Sequence, residues 1–103
     1  MINNEEQNYM SMLFGQSQIL TVWQKAATVP GMNPAIMRQD ACRAWIKFGD
    51  YGNRNSQYGW EIDHNFPVAL GGSDAMSNLR PLHWQNNCRK ADGNLACAIT
   101  ARV

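Results

Sequence analysis

The sequence predicts one α+β domain, on three observations. Residues 60–91 read as strand, loop, strand and helix; residues 6–28 carry apolar side chains at mostly helical spacing; and residues 49–59, rich in Gly, Asn and Ser, read as a loop. A chain of 103 residues is long enough for one domain and short of two, and buries only about two thirds of its unfolded surface. The organisation that follows is an N-terminal helical extension over 1–37 and a core over 38–103 in a single compact unit.

Met10, Leu13, Phe14, Leu20, Trp23 and Ala27 set the first helix, with Gly15 as its weak point and the place for a break. Pro30 and Gly31 suit the two central positions of a type II turn. Asn33 and Pro34 then read as the N-cap and first residue of a short second helix reaching about Asp40. Ala41 to Phe48, with Trp45 and Ile46, reads either as a short strand or as an extension of that helix. Trp60 to Ile62 is a strand that delivers Asp63 and His64. Gly71, Gly72, Ser73 and Asp74 supply turn chemistry, Leu79 to Leu82 the returning strand, and Trp84 to about Ala91 a helix with Gly93 as its C-cap. Trp23, Trp45, Trp60 and Trp84 are expected to anchor the core.

Net charge is only +1, which excludes a basic field over the whole surface, so contact with nucleic acid must come from a local patch. From Arg38 onward there are eight Lys or Arg against six Asp or Glu, whereas residues 1–37 hold Lys25 against Glu5 and Glu6. The basic excess belongs to the second half. Cys42, Cys88 and Cys97 are an odd number with no close pair, which argues against a disulfide framework and for a reduced, cytoplasmic chain. The N-terminal MINNEEQNYM is acidic and polar where a signal peptide would be basic and then apolar. No apolar run approaches the roughly 20 residues needed to span a bilayer.

The chemistry-bearing residues cluster in one stretch. Asp63 and His64 are adjacent, Asn78 and Asn87 follow, and Arg89 and Lys90 come just beyond. Histidine has the right intrinsic pKa for a general base near neutral pH, a role that typically contributes about 10²–10⁴-fold in rate. Its neighbour Asp63, on the opposite face of an extended strand, can reach a cation. From Trp60 to Lys90 the chain reads WEIDHNFPVALGGSDAMSNLRPLHWQNNCRK, and in this form it resembles the HNH endonuclease motif over about a third of its length.

The resemblance implies a ββα-metal (HNH) core. It also implies roles: His64 activates water, Asp63 and Asn87 bind a divalent cation, and Asn78 braces the loop that holds His64. Asn87 stands where the motif's last histidine usually lies, an H-N-N variant that also occurs in the HNH domain of CRISPR effector nucleases. Two oxygen ligands favour Mg²⁺ or Mn²⁺ over Zn²⁺ or Ni²⁺. Many HNH proteins carry paired CxxC knuckles for a structural zinc; this chain has none, so no structural zinc is expected. His83, four residues before Asn87, is the rival ligand, and is read as a packing or hydrogen-bonding residue. Arg89 and Lys90, with Arg80 and Arg54, are the candidate phosphate contacts. Cleavage that leaves a 5′-phosphate and a 3′-hydroxyl is also implied.

The function expected from these residues is metal-dependent cleavage of DNA. The alternatives are a DNA-binding module of the same fold that cuts slowly or not at all, and an RNA-directed nuclease. The N-terminal helix is open to three uses: core, homodimer surface, or docking element for a protein partner.

Overall fold

Gly15 interrupts the helical pattern, and the first helix, α1, begins directly after it and spans Gln16–Trp23. Gly15 is the N-cap in extended conformation, and its N–H donates to Gln18 Oε1 at 3.1 Å. The computed structural model describes residues 14–91 and 93–101, so the part of the expected helix before Phe14 lies outside the described residues. At the other end the N–H groups of Lys25 and Ala26 turn back to Val22 O and Trp23 O, which closes the helix before Ala27. The last turn of α1 places Val22 and Trp23 in the core, while Leu20 on the same helix stays exposed.

The Pro30–Gly31 turn is as expected: Met32 N–H donates to Val29 O at 3.0 Å and Gly31 has φ of 86°. The second helix is not. Asn33 Oδ1 accepts from Ala35 N–H at 3.0 Å and makes one turn, after which the chain extends into β1, Met37–Gln39. This strand pairs antiparallel with β2, Trp45–Lys47. Asp40 decides the outcome. Its Oδ1 accepts from Cys42 and Ala44 N–H, both at 2.8 Å, which folds the connection into a hairpin that a helix could not accommodate. A single helical turn has a costly nucleus and gives way to the pairing.

Beyond a loop that includes the short 3₁₀ turn Phe48–Asp50 comes β3, Trp60–His64, paired antiparallel with β4, Leu79–His83. In this register Asp63 lies opposite Arg80, and His64 opposite Leu79. Every residue of β3 is buried because both faces are covered. Trp60 and Ile62 pack with Val22, Trp23, Ala26, Ile46 and Leu79, where burying each aliphatic side chain contributes about 1.5–3 kcal/mol. Glu61 and Asp63 face the other way, toward α2, Trp84–Lys90. Trp23 and Trp60 are the fully buried anchors. Trp45 and Trp84 are only half-buried, although the Trp84 indole N–H donates to Ser56 O at 2.8 Å.

The left-handed side of the map at the end of α2 is taken by Ala91, with φ of 49°, rather than by Gly93, whose N–H returns to Lys90 O. The described residues thus form a small α+β domain with two helices and two separate two-stranded antiparallel sheets. No described helix is long and apolar enough to cross a membrane.

The cysteine reading is corrected. Cys42 and Cys97, 55 residues apart in sequence, form a disulfide, and Cys88 is the free thiol. An odd count leaves one cysteine over without forbidding a bond between the other two, and a bridge across most of the domain has no spacing signature. It fastens the C-terminal segment to the β1–β2 hairpin. Asn86 on α2 clasps the same segment, donating to Ile99 O at 2.9 Å and accepting from Ile99 N–H at 2.7 Å. The argument for a reduced, cytoplasmic chain therefore loses its support.

Candidate functional site

His64 closes β3, and the loop that leaves it is tied down by one side chain. Asn78 Oδ1 accepts from Phe66 N–H at 2.7 Å, while its Nδ2 donates to Phe66 O at 3.1 Å and to Ser73 O at 2.7 Å. The Asn78 carbonyl also accepts from Asn65 N–H at 2.7 Å. One asparagine thereby clasps both ends of the 65–73 loop. The loop closes tightly: a Cβ on Gly72 would lie 1.7 Å from Phe66 O, and Gly71 has φ of 100°. Both glycines are required by this backbone path.

His64 is 5% exposed, with the Phe14 ring centroid 6.1 Å from its own. Its Nε2 lies 2.7 Å from Oδ1 of Asp74, a residue read from the sequence only as turn chemistry. Asp63 is fully buried on the opposite face. Arg80 Nε donates to its Oδ2 at 2.8 Å, and Lys90 Nζ is 3.2 Å from Oδ1. Strand pairing explains the first contact, since cross-strand neighbours on one face meet.

Asn87 is buried on the same face as Asp63, yet its amide donates to Glu61 Oε1 at 2.8 Å. Glu61 is gripped in turn by Arg54, Nε to Oε2 at 2.6 Å and Nη2 to Oε1 at 2.9 Å. These bonds raise the already high pKa of Arg54, against an opposing effect of burial. The helix lies along the strand so that Asn87 meets Glu61 and Lys90 meets Asp63. Glu61 is the residue the motif reading passed over. Its signal was its position two residues before Asp63, which places both carboxylates on one face.

The four cationic candidates separate. Arg89 is exposed on the last turn of α2, and its side chain forms no hydrogen bond or ion pair among the described residues. Arg80 and Arg54 are partly exposed and already hold a carboxylate. Lys90 is 4% exposed, and its ammonium also donates to His64 O at 3.1 Å, so it is a scaffold cation rather than a surface contact. His83 is committed as well. Nδ1 accepts from Gln85 N–H at 3.0 Å as the cap of α2, and Nε2 is 2.7 Å from Gln57 O. With both ring nitrogens used, His83 is not available as a ligand.

Asp63 Oδ1 is a buried oxygen that accepts no hydrogen bond, despite the nearby ammonium. That oxygen is ion-paired with Lys90 rather than free; with Asn87 and Glu61 on the same face, its donor chemistry suits a hard divalent cation that displaces the ammonium. Among the described residues there is no group of three or more His, Cys, Asp or Glu arranged to hold a metal ion. Cys88, a free thiol beside Asn87 on α2, is partly buried. Burial pushes its thiol up from the usual value, Arg54 pulling the other way.

No family model, no curated protein and no solved structure matches this chain.

Proposed function

We propose that the chain is an endonuclease of the HNH type, with a ββα-metal core in residues 60–90, that hydrolyses phosphodiester bonds of DNA. The observation that carries this reading is the Asn78 clasp, which fixes the loop leaving His64 by bonds to Phe66 and Ser73. A base that abstracts a proton from water needs a fixed position relative to the phosphate, and a braced loop beside a nearly buried imidazole supplies one.

In this reading a ring nitrogen of His64 takes a proton from water, and the water oxygen attacks phosphorus. The bond to the 3′ oxygen breaks, and that oxygen takes a proton from solvent, leaving a 5′-phosphate and a 3′-hydroxyl. Arg89 holds a neighbouring phosphate by charge-assisted hydrogen bonds, with Arg80 and Arg54 able to turn toward the strand. Asp63 and Asn87 would hold Mg²⁺ or Mn²⁺. Such an ion, when bound, supplies positive charge for the leaving oxygen. Lys90 keeps the Asp63 carboxylate and the end of β3 in place.

One observation favours the second reading, a DNA-binding module that does not cut: the Asp63 carboxylate is already balanced by Arg80 and Lys90. The Cys42–Cys97 bond favours an oxidising compartment over the cytoplasm as the place where the folded chain works. The deciding experiment is incubation with supercoiled plasmid in Mg²⁺ or Mn²⁺, beside EDTA and His64→Ala controls. Nicked or linear product that disappears in both controls is expected. Intact plasmid in every lane would remove the DNA nuclease reading and put the binding module or an RNA substrate in its place.

A further inference from the structure

His64 has a partner that the roles above leave unused. Asp74 is 69% exposed, belongs to the glycine-containing loop, and meets the ring at Nε2. We propose that Asp74 is the positioning residue of His64: it accepts a hydrogen bond from Nε2–H, holds the neutral ring in that one tautomer, and leaves the Nδ1 lone pair as the basic nitrogen. The use of Nδ1 on water rests on the nuclease reading; the tautomer does not.

The assignment follows from donor and acceptor inventory. An ionised carboxylate only accepts, so a 2.7 Å contact between Asp74 Oδ1 and Nε2 puts the proton on the ring nitrogen. A neutral imidazole carries one N–H, and Nδ1 is then unprotonated. Nδ1 has no hydrogen-bond partner among the described residues. The ring lies beside Phe14, 6.1 Å centroid to centroid.

The backbone shows how Asp74 reaches this place. Asn78 Nδ2 donates both to Phe66 O, two residues after His64, and to Ser73 O, the residue before Asp74. The same amide therefore fixes the two chain segments that bring carboxylate and ring together. Ala75 N–H donates to Ser73 Oγ at 3.2 Å and holds the turn around Asp74. An exposed ion pair contributes little to stability, so the consequence of this contact lies in which nitrogen carries the proton.

The test uses the full-length protein with ¹⁵N-labelled histidine and long-range ¹H–¹⁵N spectra of His64, recorded on the alkaline side of neutrality. His64 is expected to show a protonated Nε2 and an unprotonated Nδ1. Asp74→Asn, whose amide oxygen still accepts, should keep that pattern, and Asp74→Ala should give a mixture of tautomers. A His64 that carries its proton on Nδ1 in the unaltered protein, or an Asp74→Ala spectrum identical to it, would overturn the assignment. Turnover on plasmid gives the second readout: kcat should fall about tenfold or more in Asp74→Ala with KM unchanged, and recover in Asp74→Asn. An Asp74→Ala protein that cuts at full rate would overturn the role of Nδ1 as the base. If the unaltered protein cuts no DNA, the nuclease reading falls and the spectra alone decide the tautomer.

Discussion

Reducing the Cys42–Cys97 bond should cost this domain a large part of its stability. The bridge spans 55 residues of a 103-residue chain, so it confines more than half of the unfolded chain to a closed loop. Chain-entropy arithmetic for a loop of that length gives about 14 cal/mol/K, or about 4 kcal/mol at 25 °C. Against a total stability of about 5–10 kcal/mol, that loss leaves the reduced protein marginal. Urea titration with and without reductant reads the difference. With a slope of about 1–2 kcal/mol/M, the midpoint should fall by about 2–4 M. Thiol counting under denaturing conditions completes the assay, with one reactive thiol, Cys88, before reduction and three after it. A midpoint shift below about 0.5 M, or three reactive thiols in the unreduced protein, would refute the reasoning.

Asn78→Ala removes three side-chain hydrogen bonds that close the 65–73 loop, and at about 0.5–1.5 kcal/mol each the loss should be about 1.5–4.5 kcal/mol by urea titration. A loss below about 0.5 kcal/mol would mean the clasp is incidental. Gly72→Ala would drive a methyl group into the Phe66 carbonyl, and should destabilise by about 1–3 kcal/mol with shifted amide resonances through Phe66 and Ser73; an unchanged spectrum would show that the loop follows another path. Cys88 should alkylate more slowly than free cysteine near pH 8 and speed up as pH rises, because burial keeps the thiol protonated to higher pH. Modification as fast as that of free cysteine would contradict this.

The second half of the chain was legible because its signals are local. The strand formers Trp60 and Ile62, the glycines before Asn78 and the polar run after Trp84 each point to one conformation, and the strand, loop, strand, helix order follows. The Pro30–Gly31 turn was legible for the same reason. What escaped depends on partners distant in sequence. Residues 34–39 look helical alone, yet they keep only one turn and Met37–Gln39 become a strand, because Asp40 builds the turn that returns β2 to them. The disulfide joins Cys42 to a segment that carries no secondary structure of its own. Within the site, adjacency suggested Asp63 and His64, while the contacts that hold them come from Arg80, Lys90 and Asp74. Only the Arg80 contact could have been anticipated, from the register of the hairpin.

Glu61 and Asp63 are two fully buried carboxylates on one strand face, answered by Arg54, Arg80 and Lys90. Removing one partner of a buried ion pair typically costs about 3–5 kcal/mol, because the other charge stays desolvated. The cations around Asp63 are not equivalent in this respect. Lys90 is almost wholly enclosed and also supports the backbone of His64, whereas the Arg80 side chain is 26% exposed and can swing into water. A divalent ion taken up at Asp63 competes with both, and Arg80 is the one that can leave at little cost. Arg80→Ala should therefore tighten Mg²⁺ or Mn²⁺ binding measured by calorimetry while leaving the fold intact. Lys90→Met should instead destabilise the domain by roughly 3–5 kcal/mol. Unchanged affinity in Arg80→Ala would place the cation away from Asp63, and a stable Lys90→Met protein with tightened affinity would reverse the order in which the two cations yield.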